Sequence, residues 1–288
     1  MSPLNRREFL IASAGFALLA ACGSGDDGAA PPVKVDNPDD EVNKPGSRLN
    51  LVVASYIHVA GIDERVTLAF LNDNASGPIT PDDSVRFTID GQEVPAELHT
   101  DGIPLPYFLL RRRFERPGFV TVQATMGDKQ GETTVEVVDP AKAEVALIGR
   151  PMISTPTPTV ADSRGVEPIC TREPLCPLHE SSLDTVLAQK RPLAVLFATP
   201  ARCQSQLCGP VLDNLLTVRE GFADKVDFIH VEIFATRTGN ELAPAVQASK
   251  IQSEPFLFLV GADGIVRERL DNAYDRTEAR SALERLLA

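Results

Sequence analysis

The chain has 288 residues, enough for two ordinary domains, and its formal net charge of -12 argues against nucleic acid or an anionic surface as a partner. Its five cysteines make sulfur chemistry the first thing to place.

The apolar run from Phe9 to Ala21 is too short to span a bilayer but suits the core of an export signal. Asn5-Arg6-Arg7-Glu8-Phe9-Leu10 resembles a twin-arginine signal, and Leu19-Ala20-Ala21-Cys22 resembles a bacterial lipobox. The resemblance implies a signal peptide over residues 1–21 and Cys22 as the lipid-carrying N-terminus. The protein is then an extracytoplasmic lipoprotein held at the cell membrane by its anchor. Residues 22–46 are rich in Gly, Asp, Pro and Asn without an apolar period. They read as a disordered tether with an end-to-end distance of roughly 25–30 Å.

Residues 47–139 read as all-β. Val85, Phe87 and Ile89 alternate with Arg86, Thr88 and Asp90, the pattern of a half-buried strand. Asp90-Gly91 is a turn signal, after which Glu93 to Leu98 returns. Val66/Leu68/Phe70, Val120/Val122/Ala124 and Val135/Val137 repeat the alternation, and Met126 to Gly131 predicts a hairpin loop. About seven short strands predict an immunoglobulin-like or fibronectin-like sandwich. Arg111-Arg112-Arg113 reads as a solvated strand face, with an anionic ligand site as the sharper alternative.

Residues 140–168 connect the halves, extended by the prolines of Ser154 to Thr159. Leu147 to Pro156 is similar to the opening segment of peroxiredoxin-like folds, so the second domain begins near 145. Cys170 and Cys176 form one cysteine cluster, followed by a helix from Ser182 to Gln189 with Ser181 or Ser182 as N-cap. Leu193, Val195, Leu196 and Phe197 form a buried strand, ended by Thr199-Pro200. Cys203 and Cys208 follow, and Gly209-Pro210 leads into a helix through Leu216. Proline is tolerated there because a first-turn N–H has no partner. Val226 to Ile233 predicts a strand, and Leu242 to Ser249 a helix with Pro244 in its first turn. Asp275 with Glu278 resembles a capping box for a helix over 276–287.

This order of elements resembles the thioredoxin superfamily over about residues 143–288. Cys208-Gly209-Pro210-Val211 overlays the family's Cys-Gly-Pro-Cys with valine in place of the second cysteine, and Ser253-Glu254-Pro255-Phe256 looks like its cis-proline strand. Leu196 stands where thioredoxins keep a buried aspartate, and the family's usual tryptophan is absent. The expected fold is therefore two-domain, an all-β immunoglobulin-like sandwich followed by an α/β thioredoxin-like fold over 169–288.

Without Cys22, four cysteines remain. In an oxidising compartment they read as two bridges. The local pairing, a structural Cys170–Cys176 bridge and Cys203–Cys208, closes two short loops; a crossed pairing stays open if residues 170–176 fold over the active loop. Three readings compete. In the first, Cys208 is an exposed nucleophile favoured by the helix N-terminus, Cys203 is its redox partner, and the resemblance implies that Glu254 and Pro255 shape the edge that binds substrate. The partners are then extracytoplasmic thiol or disulfide proteins. In the second, Thr199-Pro200 with Cys203 and Cys208 resembles the bacterioferritin-comigratory peroxiredoxins, and Cys203 attacks peroxide while Cys208 resolves. In the third, both pairs are staples on a binding scaffold without redox activity. A minor fourth reading notes metal-ligand types in Cys176-Pro177-Leu178-His179, as in thioredoxin-fold copper chaperones of the Sco type. His179 reads instead as a loop or helix-start residue and His230 as a core or edge histidine, so neither a metal nor another cofactor is expected.

Overall fold

The computed structural model describes residues 48–288 apart from 73, 74, 76, 80, 82 and 83. The expected signal peptide, Cys22 and the tether lie outside the described residues. Among the described residues, no helix is long and apolar enough to cross a membrane.

The first half is a two-sheet sandwich. One antiparallel sheet has the order β1 (Asn50–Val53), β3 (Asp63–Leu71), β7 (Tyr107–Arg113), β6 (Ala96–His99). The other has the order β2 (His58–Val59), β9 (Lys129–Val138), β8 (Gly118–Met126), β4 (Arg86–Ile89), β5 (Gln92–Val94). The alternation read in the sequence builds the core between them, where Val66, Leu68 and Phe70 meet Phe87, Ile89 and Val122. Asp90 and Gly91 join β4 to β5 at φ 52° and 73°. That left-handed pair matches the twist of a two-residue hairpin.

One expectation fails in the first sheet. β3 is buried continuously from Glu64 to Phe70 instead of at alternate positions. Its second face does not meet water: Ala69, with Ala54, Tyr107 and Leu109, packs into a core shared with helices of the second half.

The second half is a mixed sheet of order β11 (Asp227–Val231), β10 (Leu193–Phe197), β12 (Phe256–Val260), β13 (Val266–Asp271). β10 runs parallel to β11 and antiparallel to β12, which pairs antiparallel with β13. Four helices accompany it: α1 (Leu183–Ala188), α2 (Cys208–Arg219), α3 (Pro244–Ala248) and α4 (Arg276–Leu287). Every residue of β10 and β12 is buried, because both faces are covered. Leu196 and Leu257 meet Val211 and Leu215 of α2 and Ala282 and Leu283 of α4. Phe197 and Phe258, one residue out of phase, meet Leu183 of α1 and Val246 of α3. Residues 140–168 are no free linker, since Val145, Leu147, Met152 and Val166 belong to this second core.

The halves also share a polar seam. Arg65 of β3 is buried and donates from Nε and Nη2 to both carboxylate oxygens of Glu278 in α4, at 2.5 and 2.8 Å. It further donates to the carbonyls of Asp271 and Ala273. The Tyr107 hydroxyl donates to the same Glu278 carboxylate. Arg269 Nη2 donates to Glu64 at 3.2 Å. Burial alone disfavours the Glu278 carboxylate, but Arg65 outweighs it and holds its pKa below the ordinary value. The expected capping box is half present. Asp275 accepts from the Glu278 N–H at 2.7 Å, while the Glu278 side chain turns to Arg65. The Asp275 N–H goes to the Tyr107 hydroxyl instead, at 3.1 Å. Arg111 approaches Glu268 of β13 at 3.8 Å, which makes that arginine part of the join between halves.

Candidate functional site

The loop after β10 carries the Cys203–Cys208 disulfide, with Cα atoms 5.8 Å apart. α2 begins at Cys208, two residues earlier than the Pro210 signal suggests. Contacts with other segments fix the loop that precedes it. Ala201 N–H donates to Thr171 Oγ1 at 3.1 Å, and Thr171 is held in turn by the buried Glu232 carboxylate at 2.8 and 2.9 Å. The Arg202 guanidinium lies over the Phe234 ring at 4.0 Å and donates to Asn240 Oδ1 at 2.9 Å.

The two sulfurs differ from the sequence expectation in their access to water. Cys208 is wholly buried, and Cys203 is partly exposed. In the first turn of α2 the Cys208 side chain points into the core with Val211 and Leu212. Cys208 therefore cannot be the exposed nucleophile. The helix N-terminus still acts on sulfur, but on the other one: the Cys208 N–H donates to Cys203 Sγ at 3.2 Å. Ser205 Oγ lies 3.2 Å from the same sulfur. A thiolate formed at Cys203 would have both donors and the positive end of the dipole.

Gln204 and Ser205, the two residues after Cys203, line a groove of about 310 Å³ together with Phe234, Gln252, Glu254 and Tyr56. Glu254 thus lies where the sequence placed it, on the edge before Pro255, and the Glu254–Pro255 peptide bond is cis. Burial raises the Glu254 pKa above the ordinary carboxylate value, and Glu232 adds to the rise. Tyr56 is the residue the sequence did not reveal. It comes from the sandwich, and its hydroxyl donates to the Glu254 carbonyl and lies 3.1 Å from Asn272 Oδ1. Burial is the main reason its pKa is pushed up to about 12, against a lowering bond with Ser205. Nothing in Ser55-Tyr56-Ile57 marks a site; only the packing of the halves brings it there.

The second cysteine cluster departs furthest from expectation. Cys170 and Cys176 are free thiols and form no bridge. Both are buried, with His179 and His230 beside them. The His230 N–H donates to the Leu178 carbonyl at 2.9 Å, which lays the 176–179 segment along the edge strand β11. Instead of pairing with each other, the sulfurs face imidazoles. Cys176 Sγ is 3.2 Å from His179 Nε2 and 3.4 Å from His230 Nδ1, and Cys170 Sγ is 3.5 Å from His230 Nδ1. Cys170 is held well below the usual thiol range, first by a hydrogen bond with Cys176 and then, against burial, by the two imidazoles. Cys176 is raised, because it keeps the proton of that bond and is buried. His179 lies in the loop before α1 and His230 in the edge strand β11, as the sequence reads them; what the sequence does not show is that both rings meet the two sulfurs.

No protein-family model and no curated protein matches the chain. Among solved structures, a polysaccharide lyase is similar over 32% of this chain and 12% of its own length, at 16% identity and a TM-score of 0.24. The Lin-41 filamin domain is similar over 31% of this chain and 92% of its own, at 9% identity and a TM-score of 0.23. The titin M3 domain is similar over 32% of this chain and 97% of its own, at 16% identity and a TM-score of 0.19. These are likenesses of fold alone. The mostly β architecture with its immunoglobulin-like sandwich stands on the strand pairing described above.

Proposed function

We propose that Cys203 and Cys208 carry out thiol–disulfide exchange with the thiols or disulfides of other proteins, Cys203 being the sulfur that meets them. The observation that carries this reading is the unequal access of two bonded sulfurs, one partly exposed and one buried. Exchange needs a sulfur that a partner can reach in line with the breaking bond. An incoming thiolate attacks Cys203 Sγ, the Cys203–Cys208 bond breaks, and its electron pair stays on Cys208 Sγ. A second substrate thiolate then attacks its partner sulfur in the mixed disulfide and frees Cys203. Two electrons pass from two substrate thiols to the pair, and the reverse sequence reduces a substrate disulfide. The Glu254–Pro255 edge and Tyr56 form the wall against which a substrate chain lies.

The fold reading that goes with this activity is thioredoxin-like for residues 169–288. It is supported by the β11-β10-β12-β13 order, by helices on both faces, and by Cys208-Gly209-Pro210-Val211 opening α2 with Pro255 just before β12. The N-terminal motifs support a location outside the cytoplasm with a lipid at Cys22. A Cys22→Ser variant should leave the membrane fraction, and its retention there would contradict the anchor.

A second reading, peroxide reduction, is favoured by the same exposure, since Cys203 is the sulfur that would attack peroxide. One experiment separates them. The protein is titrated with glutathione while free thiols are alkylated, and single variants are probed for mixed disulfides. Cys208→Ser should trap adducts through Cys203, and Cys203→Ser should trap none. A pair that resists reduction and traps nothing refutes exchange and leaves a stapled scaffold. Fast loss of peroxide with sulfenic acid at Cys203 moves the peroxidase reading first.

A further inference from the structure

Four side chains outside the redox loop converge on one point. Cys170, Cys176, His179 and His230 are 4%, 1%, 1% and 0% exposed, and one donor atom from each lies within 4.8 Å of the other three. Buried sulfur and imidazole need an account of their lone pairs and protons.

The distances supply one. A tetrahedral zinc ion with Zn–S near 2.3 Å and Zn–N near 2.05 Å requires edges of about 3.3 Å between nitrogens and about 3.6 Å between sulfur and nitrogen. The His179 Nε2 to His230 Nδ1 edge is 3.3 Å, and three sulfur–nitrogen edges are 3.2, 3.4 and 3.5 Å. The donor set, two thiols and two imidazoles without an open position, is that of a closed structural site.

The shell around the ligands agrees. His230 Nε2 lies 3.0 Å from the Ala198 carbonyl. As a donor there it fixes the tautomer that leaves the Nδ1 lone pair facing the sulfurs, as a ligating histidine requires. A Cys170–Cys176 bridge would account for less. It removes both thiol hydrogens and leaves two buried ring nitrogens 3.3 Å apart to share whatever proton His179 carries. A divalent ion between two thiolates and two neutral imidazoles has no net charge, the state that burial favours.

We propose that Cys170 Sγ, Cys176 Sγ, His179 Nε2 and His230 Nδ1 bind one Zn²⁺ ion. Binding replaces two thiol protons, released to solvent, by the cation. The ion clamps the 170–179 segment to β11 and to Ala198, the residue at which β10 runs into the Cys203 loop. It acts as a brace under the redox loop, apart from the exchanging pair.

The test uses the full chain, reduced, freed of metal, and then given Zn²⁺ or Co²⁺. One equivalent should survive desalting. The Co²⁺ form should show the intense visible bands of a tetrahedral ion and a near-ultraviolet thiolate charge-transfer band, both erased by Zn²⁺. Cys176→Ser and His179→Ala should lose the bound metal, whereas Cys203→Ser/Cys208→Ser should keep it. If the ligand variants fail to fold, the Co²⁺ spectrum of the unaltered chain still decides. Metal below stoichiometry after loading, an octahedral Co²⁺ spectrum, or loss of metal only in the Cys203/Cys208 double variant overturns the site. So does a chain purified with Cys170 bridged to Cys176 that takes up no metal once reduced.

Discussion

The two cysteine sites lie on the same end of one sheet and treat water in opposite ways. At Cys203 the sulfur is partly exposed, bonded to a single buried partner, and served by donors that stabilise negative charge. Cys170 and Cys176 are buried, and each sulfur faces a buried ring nitrogen. Sulfur chemistry alone does not separate a reactive site from a structural one; the partners left to each lone pair do. The seam at Arg65 follows the closed rule with other atoms, since its buried charges are met by each other, by two backbone carbonyls and by the Tyr107 hydroxyl.

Breaking a closed polar contact should therefore cost more than breaking the open one. The largest effect is expected from Arg65→Met, which strands the buried Glu278 carboxylate. A loss of about 3–5 kcal/mol in urea unfolding is expected, and the double variant Arg65→Met/Glu278→Leu should recover much of it. Recovery failing to appear would mean that the pair is not coupled.

Next comes His58, buried beside Ser55 with 2.8 Å between His58 Nε2 and Ser55 Oγ. Burial is the first cause that lowers its pKa to about 4, with Asp271 opposing. The folded state thus binds this proton less readily than the unfolded chain does. Its stability relative to His58→Gln should be constant above pH 6.5 and should fall as pH drops from about 6.5 to about 4, by up to about 3 kcal/mol. Paired urea curves across that range check the sign.

Opening the exposed bridge should matter less. Cys203→Ser removes a loop closure of few residues, worth roughly 2 kcal/mol in the chain-entropy account. The smallest effect sharpens the open site itself. Ser205→Ala removes one donor to Cys203 Sγ, worth about 1 kcal/mol, so the pH at which the reduced Cys203 reacts with iodoacetamide should rise by under about one unit. The Cys170 and Cys176 thiols should stay unreactive in the same assay until the chain unfolds.

What could be read in the sequence divides along the same line. The β10 strand, the loop, the start of α2 and the turn at Asp90-Gly91 all announce themselves through local chemistry: apolar runs, proline, a left-handed pair. The Cys203–Cys208 bond was legible because its partners are five residues apart. The roles within it were not. Sequence order puts Cys208 at the helix start, but only the side chain's direction shows that the helix N–H reaches Cys203. The His230 contacts with Cys176 and Cys170 span 54 and 60 residues, and a histidine inside Asp227–Val231 looks like any strand residue. Likewise Val66, Leu68 and Phe70 signal one buried face of β3, while the burial of Arg65 and Ala69 on the other face depends on helices encoded far away. Local periodicity reports what a segment can bury, and not what arrives to cover its polar face.

The doubly covered sheet has a consequence for the order in which the chain is made. Arg65 leaves the ribosome early, but its carboxylate partner lies 213 residues later. At a synthesis rate of roughly 5–20 residues per second, the two are separated by roughly 10–40 s. During that interval the sandwich can close its own apolar core, yet Ala54, Ala69, Tyr107 and Leu109 have nothing to rest against. Nascent chains stalled before residue 270 should therefore recruit holdase chaperones and be cut readily by protease within β3 and β7. Release of the final helix, Arg276–Leu287, should end both susceptibilities together.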